Sequence, residues 1–246
     1  MSDKIPENHP RYASLVTREH LVESAHKGIV SYEGLTSHGR GEAFDYLLGE
    51  KTSKSARFAE TLAARCLIAA VHPVISVNGN TAALAAAEIA ELQKASGAQV
   101  EVNLFHRTEE RVKLVEKVLE DAGCVLNKGK VERCVNLPHD RGLCDPNGIG
   151  SADVVLVPLE DGDRCEALVA MGKTVITIDL NPIDRTSKMA TLPIVDEVRR
   201  ALPNIAEDCR KMKGKEENIS MPVINNRAIL RDAVKDMEAY LEHALD

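Results

Sequence analysis

The sequence lacks tryptophan and is poor in the other aromatic residues, which together make up 3% of its 246 residues. Proteins that bind single-stranded nucleic acid stack bases on aromatic side chains, and nucleic-acid binders usually carry a basic face. The net charge here is −7 and the pI is about 5.7. We therefore expect no nucleic acid among its partners, although a few clustered arginines would still suffice to bind a small anion.

Long apolar runs are missing as well. No stretch approaches the ~20 apolar residues that a membrane-spanning helix needs. The first residues, MSDKIPENHPR, are polar and do not resemble a secretion signal. We therefore expect a cytoplasmic protein that does not contact membranes.

The cysteines lack the pairing that marks a zinc site. No C-x-x-C occurs, whereas a zinc knuckle usually supplies two ligands from one such pair. We expect reduced thiols and no structural metal, with Cys66 and Cys124 acting as small core residues. The six cysteines stand at positions 66, 124, 134, 144, 165 and 209.

What the sequence does contain is a repeated alternation of strands rich in Val and Ile with amphipathic helices. Uninterrupted apolar strands of this kind predict a parallel sheet covered by helices on both faces. The expected fold is α/β and Rossmann-like, with strands at 74–77, 99–104, 153–157, 174–179 and 192–195 and helices at 81–96, 108–122, 163–171 and 197–212. Shorter strands are predicted near 124–126 and 131–135.

The flanking parts add helices to this core. We expect one structural unit in three parts: an arm and helical cap in 1–72, the Rossmann-like core in 73–213, and a linker with a C-terminal helix in 214–246. In the first part, helices are predicted at 17–27, 42–48 and 53–71, with a turn at 37–41. In the last part, an apolar stripe suits packing on the parent domain or on a second subunit; it consists of Leu230, Val234, Met237, Leu241 and Leu245.

The first strand of the core runs into the turn N-G-N-T at 78–81, and an alanine-rich helix follows. Such a turn directs free backbone N–H groups and a helix dipole at one point, which suits an anion. A purely structural alternative is that Asn-Gly forms the turn and Thr81 caps the helix. Both interpretations remain open from the turn alone.

Other polar residues follow the remaining strands, and ligands of open parallel sheets collect at these carboxyl ends. The segments are F-H-R-T at 105–108, L-E-D-G-D-R at 159–164 and D-L-N-P at 179–182, with Arg185 and Thr186 close behind. Arginines beside carboxylates suit a phosphate with a divalent metal, although the acidic segment also reads as a turn in which Asp163 caps a helix. Asp179 ends a buried strand, where an unpartnered carboxylate is costly, so we favour a functional role there.

Neither G-x-G-x-x-G nor G-x-x-x-x-G-K-[ST] follows any strand, which argues against the standard NAD fingerprint and the P-loop. A further candidate is G-R-G at 39–41. Two glycines let a backbone approach a ligand and leave the guanidinium of Arg40 free for a bidentate phosphate contact. The alternative is a flexible turn between helices.

Several longer strings occur together, and through them the chain resembles the archaeal phosphopantothenate synthetase family, also called 4-phosphopantoate–β-alanine ligase. The resemblance covers roughly residues 9–205, whereas residues 124–150 and the tail after Lys213 do not align with the family's pattern. The strings are TREHL at 17–21, SHGRGEAFDYLLGE at 37–50, HPVISVNGNTAAL at 72–84, VNLFHRTEERV at 102–112, SADVVLVPLEDGDR at 151–164 and MGKTVITIDLNPIDRT at 171–186.

The resemblance implies a homodimeric, Rossmann-like ligase of coenzyme A biosynthesis that uses ATP and Mg²⁺. It would join 4-phosphopantoate to β-alanine and release AMP and diphosphate through an acyl-adenylate. The matching positions assign ATP contacts to Arg18, Arg40, Asp179, Leu180, Asn181, Arg185 and Thr186, and also to Glu197 and Val198. Of these, we expect catalytic roles for Arg40, Asp179 and Arg185. Substrate contacts are expected from His38, Asn78, Asn80, Thr81, Glu160 and Asp161.

The reaction also needs a base, because the ammonium of β-alanine has a pKa of about 10 and must lose a proton before it attacks. Glu160, Asp161 and His106 are the candidates, and the sequence does not choose between them. A pantoate or pantothenate kinase, which would release ADP, remains an alternative from another enzyme class. A nucleotide-sensing module without turnover is the non-enzyme alternative.

Overall fold

The computed structural model describes residues 5–9, 11–215, 217 and 219–245. Parts of two predicted segments therefore lie outside the described residues. In the predicted arm these are residues 1–4 and Pro10, and in the predicted linker they are Glu216 and Asn218. The last residue, Asp246, also lies outside.

The strands of the core lie where runs of Val and Ile predicted them. The strands are β1 (Pro73–Val77), β2 (Gln99–Val102), β3 (Glu132–Arg133), β4 (Leu143–Cys144), β5 (Val154–Pro158), β6 (Thr174–Ile178) and β7 (Leu192–Ile194). Five of them form one parallel sheet in the order β2-β1-β5-β6-β7, while β3 and β4 form a separate antiparallel pair. The predicted strand near 124–126 is reduced to one bridge between Val100 and Leu126.

Helices connect these strands and extend the fold at both ends. They are α1 (Tyr12–His26), α2 (Tyr32–Leu48), α3 (Lys54–Ala69), α4 (Gly79–Ser96), α5 (Glu109–Asp121), α6 (Gly162–Ala170), α7 (Arg185–Met189), α8 (Val198–Met212) and α9 (Asn226–Leu241). No helix in the described part of the chain is long and apolar enough to cross a membrane.

Alternate residues of the sheet enter two different apolar cores. In β5, Val154 and Leu156 face the core that contains residues of α3, α4 and α8. Val155 and Val157 face the other core, which contains residues of α6 and of the β3–β4 pair. A sheet buried on both faces explains the uninterrupted apolar strands, and the predicted α/β, Rossmann-like fold is confirmed.

The cysteines predicted to fill space do so. Cys66 lies fully inside the first core and Cys124 is buried at its edge. Burial raises the pKa of the Cys66 thiol to about 12 and that of Cys124 to about 11. Both thiols therefore stay protonated near neutral pH and act as small apolar groups.

The N-terminal helices differ from the prediction. Helix α1 begins at Tyr12, five residues earlier than expected, and the predicted turn at 37–41 lies inside the single helix α2. Ser31 caps α2 by accepting a hydrogen bond from the amide of Gly34 (3.2 Å). Leu48 of the same helix is buried against α9. A glycine costs only about 1 kcal/mol inside a helix, so capping and packing outweigh the turn preference of G-R-G.

The C-terminal helix α9 packs on the same chain, beside α2 and α3. Leu230 and Met237 join Leu48, Leu180 and Val195 in one buried cluster. The predicted stripe therefore packs on the parent chain through Leu230 and Met237. Leu241 and Leu245, at and beyond the end of α9, are exposed in this chain, so packing of that end on a second subunit stays a prediction.

Candidate active site

The strand order places a topological switch between β1 and β5. From β1 the chain crosses to β2 on one side, whereas β5, β6 and β7 extend the sheet on the other side. The carboxyl ends of β1 and β5 therefore mark the switch point, and ligands of open α/β sheets bind in the crevice at such a point. The N-G-N-T turn follows β1, and the acidic segment follows β5.

The side chains of the N-G-N-T turn join the ends of these two strands. Asn78 accepts a hydrogen bond from the amide of Thr81 (2.9 Å), so Asn78 rather than Thr81 caps α4. The amide group of Asn78 also donates to the carbonyl oxygens of Pro158 (3.2 Å) and Leu159 (2.9 Å). The hydroxyl of Thr81 donates to Pro158 as well (3.2 Å). Both side chains thus hold the two walls of the crevice together.

The same turn is covered by the segment between α1 and α2 and by α2 itself. Asn80 donates to the carbonyl oxygen of Gly34 (2.8 Å). A Cβ at Gly79 would lie within 3.0 Å of the carbonyl oxygen of Ile29, so no larger residue fits there. The predicted substrate contacts of Asn78, Asn80 and Thr81 stay predictions, and any such contact must share side chains that already support the crevice.

Glu160 lies at the bottom of this region, with its side chain 1% exposed, between two guanidinium groups. Its carboxylate forms ion pairs with Arg141 and Arg164. Arg164 also donates to the hydroxyl of Ser76 (3.1 Å), and Arg141 to the carbonyl oxygen of Asn103 (3.1 Å). Burial alone would raise the pKa of Glu160, but Arg141 and Arg164 lower it to about 2.

This ion-pair cluster limits the roles open to Glu160. One carboxylate oxygen accepts from Arg141 and from the amide of Asp161 (2.8 Å), and the other accepts from Arg164. A carboxylate with a pKa near 2 is a weak base, and its oxygens already have partners. Arg141 was not found from the sequence because it lies after the short strand predicted near 131–135, in a stretch where no strand or helix pattern gives its position.

Asp161 differs from its neighbour in being accessible. It caps α6 by accepting from the amide of Arg164 (2.8 Å), a role predicted for Asp163. Its side chain is 35% exposed. Burial, with a further contribution from the charge of Glu160, raises the pKa of Asp161. Asp161 is therefore more accessible to a ligand than the enclosed Glu160.

A second group of predicted residues lies at the carboxyl end of β6. Asp179 accepts a hydrogen bond from the amide of Asn181 (2.8 Å). Burial and the neighbouring charge of Asp184 raise the pKa of Asp179 to about 7, while the positive charge of Arg40 opposes this rise. The charge of Arg40 therefore acts on Asp179 although the two motifs are distant in the sequence, while the ATP contacts of both residues stay predictions. Leu180 is 9% exposed, which leaves mainly its backbone for a ligand.

The next two predicted residues lie at the start of α7. Arg185 is exposed and forms ion pairs with Asp163 and Glu166 of α6. Thr186 is buried and its hydroxyl donates to the carbonyl oxygen of Glu160 (3.0 Å). Arg185 can therefore turn toward a ligand at small cost, whereas Thr186 fixes the loop after β5.

The remaining predicted residues lie on α1, α2 and α8. Arg18 pairs with Glu42 at 3.0 Å, beside His38, whose pKa is lowered by burial. Arg40 precedes Glu42 by two residues in α2, so its side chain leaves the helix about 200° around the axis from that of Glu42, which pairs with Arg18. Arg18 and Arg40 therefore lie on different sides of α2 within one chain.

Glu197 and Val198 begin α8. The carboxylate of Glu197 accepts from the amide of Arg199 (2.9 Å) and caps the helix, while Val198 is 2% exposed. Burial raises the pKa of Glu197. Beside it, Asp196 forms an ion pair with Arg200 (2.7 Å). The sequence analysis missed this contact, because charged residues are common at the start of a helix.

The residues that could hold a divalent cation are few. Within the described residues, no group of three or more His, Cys, Asp or Glu side chains is placed to hold a metal ion. Mg²⁺, however, commonly binds through one or two carboxylates together with substrate phosphates and water. Asp179, with Asp184 beside it, is the carboxylate of the predicted ATP contacts that fits this requirement.

Comparison with known proteins places the chain among ligases of archaea. The model of the phosphopantothenate/pantothenate synthetase family matches residues 55–240. A protein of Methanospirillum hungatei named 4-phosphopantoate–β-alanine ligase is 59% identical, over 98% of this chain and 100% of its own length. Proteins of the same name are 50% identical in Methanosarcina mazei, over 97% of this chain and 96% of that protein, and 52% identical in Thermococcus kodakarensis, over 85% and 81%.

These matches correct the limits of the resemblance. The family match runs to residue 240 and so includes 124–150 and all of α9 except its last residue, both of which the sequence strings alone left unaligned. Arg141 and the C-terminal helix are thus parts of the region that the family shares. The recognition is confirmed: this chain belongs to the phosphopantothenate/pantothenate synthetase family.

Proposed function

We propose that this protein is an ATP-dependent 4-phosphopantoate–β-alanine ligase of coenzyme A biosynthesis, which releases AMP and diphosphate. The observation that carries the proposal is identity of 50–59% with two ligases of that name over 97–98% of the chain. At such identity over the whole length, the crevice at the switch point and the group around Asp179 serve the same reaction here.

In this proposal ATP binds at the carboxyl ends of β6 and β7. The turn from Asp179 to Asn181 and the start of α7 contact the nucleotide, and Arg40 approaches its phosphates from α2. Arg18 and Arg185 are held in partly exposed ion pairs, whose side chains are 42% and 56% exposed. Because exposed ion pairs contribute little to stability, both guanidinium groups can exchange a carboxylate for a phosphate at little cost.

Mg²⁺ would be held by Asp179 together with the phosphates of ATP. A cation nearby favours the ionised form of a carboxylate, and would oppose the burial and the charge of Asp184 that raise the pKa of Asp179 to about 7. The metal would supply neutralising charge where the carboxylate of the acid substrate meets the α-phosphate, both of which are anions.

The residues of the chain then hold the reactants for two displacements. The carboxylate of 4-phosphopantoate attacks the α-phosphorus and diphosphate leaves, which gives the acyl-adenylate. The amine of β-alanine attacks the acyl carbon and AMP leaves. We assign the proton of the ammonium group to Asp161, because this carboxylate is accessible, whereas Glu160 is enclosed by Arg141 and Arg164. Holding the reactants in contact accounts for much of the rate.

The active protein is proposed to be a cytoplasmic homodimer. Arg18 and Arg40 lie on different sides of α2 in one chain, so a single chain does not direct both at the same phosphate. A second chain would allow the two arginines of one site to come from different protomers. Light scattering after size exclusion tests this state directly, and a mass near 26.8 kDa would contradict it.

The reaction is tested by identifying the nucleotide product. The purified protein is incubated with ATP, Mg²⁺ and β-alanine, with either 4-phosphopantoate or pantoate as the acid. AMP that forms only with 4-phosphopantoate and β-alanine together is the expected result. ADP would indicate a kinase, and unchanged ATP despite tight binding would indicate a sensing module; either outcome contradicts the proposal.

A further inference from the structure

A cluster of largely buried charges lies beyond the carboxyl end of β7, centred on Arg200 of α8. Its guanidinium pairs with Asp45 of α2 and with Asp196 of the loop before α8. The side chain of Asp196 is 0% exposed and that of Asp45 is 11% exposed. Asp45 and Arg200 are 155 residues apart in the sequence, so their contact is produced by the fold.

The hydrogen bonds of Arg200 engage all three nitrogens of its guanidinium. Nε and Nη2 both donate to one oxygen of Asp196, at 2.9 and 2.7 Å. Nη1 donates to Asp45 at 3.0 Å, and Nη2 donates to the other oxygen of Asp45. These bonds use four of the five N–H donors that a guanidinium has. Arg200 is therefore suited to holding other groups in place rather than to binding a ligand.

The other acidic residues near the cluster do not take Arg200 away from this role. Glu60 of α3 is fully buried, and burial together with the charge of Asp196 raises its pKa to about 9, so it is neutral near pH 7. Glu197 accepts from the amide of Arg199 (2.9 Å) and caps α8. The guanidinium of Arg200 is thus the group that joins two carboxylates from distant segments.

Asp196 connects the cluster to the end of the sheet and to the start of α8. Its carboxylate accepts from the amide of Glu197 (2.7 Å) and from the hydroxyl of Thr52 (2.6 Å), which lies between α2 and α3. Two residues before Asp196, the carbonyl oxygen of Ile194 accepts from the amide of Asp179 (3.0 Å). Asp196 is therefore fixed relative to both the carboxyl end of β6 and the first turn of α8.

Asp45 connects the same cluster to α2. Arg40, which is proposed to approach the phosphates of ATP, lies five residues earlier in this helix. Leu48 also joins α2 to this edge of the sheet, in one buried cluster with Leu180. Apolar contacts are non-directional, whereas an ion pair with two parallel hydrogen bonds adds geometric specificity. Apolar packing thus keeps α2 in place, and the pair of Asp45 with Arg200 sets its orientation.

We propose that Arg200 is a positioning residue of the nucleotide site. By joining Asp45 to Asp196, it sets the orientation of α2, and so the place of Arg40, relative to the ends of β6 and β7. It acts through these groups and does not contact ATP. This inference rests on the proposed ATP site and goes beyond it, because neither Arg200 nor Asp45 is among the predicted ATP contacts.

Isothermal titration calorimetry of the full-length protein with ATP and Mg²⁺, without the other substrates, tests this role. Asp45→Asn keeps the shape of the side chain and removes its charge, whereas Arg200→Lys keeps the charge and loses the planar set of donors. The control is Arg210→Gln, in the same helix, which removes an exposed ion pair with Glu91. We expect the Kd for ATP to rise about tenfold or more in the first two variants, because charge-assisted hydrogen bonds depend on geometry, and to stay unchanged in the control.

The kinetics of AMP formation and the Tm of each variant separate positioning from stability. Positioning raises the KM for ATP and leaves the KM for 4-phosphopantoate close to that of the unmodified protein. A lower Tm with an unchanged Kd and KM for ATP would assign Arg200 to stability alone and overturn the inference. An unchanged Kd for ATP in folded Asp45→Asn is sufficient for that conclusion, even if Arg200→Lys does not fold.

Failure of the proposed reaction is distinguishable from failure of this inference. If the unmodified protein binds ATP but forms no AMP, while both variants bind ATP more weakly, the reaction is refuted and the role of Arg200 stands. If the unmodified protein forms AMP and the variants bind ATP equally well, the role of Arg200 alone is refuted. An unmodified protein that does not bind ATP would contradict both.

Discussion

Replacing Glu160 by glutamine should destabilise the protein strongly while preserving the shape of the side chain. Glu160 is 1% exposed in its side chain and pairs with both Arg141 and Arg164. Glutamine removes the negative charge that pairs with both buried guanidinium groups, and leaves Arg141 with only the more distant Asp161 at 3.9 Å. Breaking a buried ion pair by removing one partner typically costs about 3–5 kcal/mol.

The lowered pKa of Glu160 gives a second magnitude for the same interaction. Its pKa falls from an ordinary 4.5 to about 2, because Arg141 and Arg164 outweigh the opposing effect of burial. At 1.36 kcal/mol for each unit of pKa, this corresponds to roughly 3 kcal/mol of stability. Since the folded pKa lies below the unfolded one, this contribution is present above pH 4.5 and is lost as the pH falls toward 2.

Urea denaturation of the unmodified protein and of Glu160→Gln, followed by circular dichroism, measures the effect. At pH 7 the free energy of unfolding should differ by about 3 kcal/mol or more, and the difference should shrink below pH 4.5. Asp163→Asn is the control, because Asp163 forms an exposed ion pair with Arg185 in the same region. A difference below about 1 kcal/mol at pH 7 for Glu160→Gln, or one that does not change with pH, would refute the reasoning.

Three further predictions concern the crevice and the nucleotide site. Gly79→Ala should lower the free energy of unfolding by about 1–3 kcal/mol, because the added Cβ meets the carbonyl oxygen of Ile29; thermal melting checks this. Arg40→Ala should reduce turnover at least tenfold with little change in Tm, and unmodified turnover would contradict its role. Asp161→Asn preserves a good helix cap but removes the base, so hydroxylamine in place of β-alanine should restore AMP release if the assignment holds.

The region 124–150 makes more contacts near the candidate site than its irregular sequence pattern suggests. It contributes Arg141 to the cluster around Glu160, and it contributes Asn127, Lys128, Gly129 and Val131 to the lining of a cavity beside β2. It therefore connects the loop after β5 with the edge of the sheet. Substitutions here should affect the crevice even though no residue of this region belongs to the predicted ATP contacts.

Much of the core followed from local patterns. The strands β1, β5 and β6 are short runs of Val and Ile, which are buried on both faces and so carry a strong apolar signal. The polar residues after each strand marked the carboxyl end of the sheet, and the family strings identified the chain as a whole. The division into 1–72, 73–213 and 214–246 stays a prediction.

Local sequence patterns did not determine which of two chemically similar residues takes a given structural role. Asn78 and Thr81 are both good caps for α4, as are Asp161 and Asp163 for α6, and the structure uses Asn78 and Asp161. The stabilisation that these alternative cap residues give to a helix differs by only a few tenths of a kcal/mol. Contacts with Pro158 and its neighbours therefore decide which residue caps the helix. The same holds for G-R-G, whose turn preference is smaller than the packing energy of α2.

By itself, the sequence determined the alternation of strands and helices, the family and the set of polar residues at one edge of the sheet. Only the tertiary structure decided which of them meet. Arg141 pairs with Glu160, and the charge of Arg40 lowers the pKa of Asp179, across long separations in the chain. Periodicity and capping act over a few neighbouring residues, whereas the partner of a buried charge is set by the fold, so no local pattern contains it.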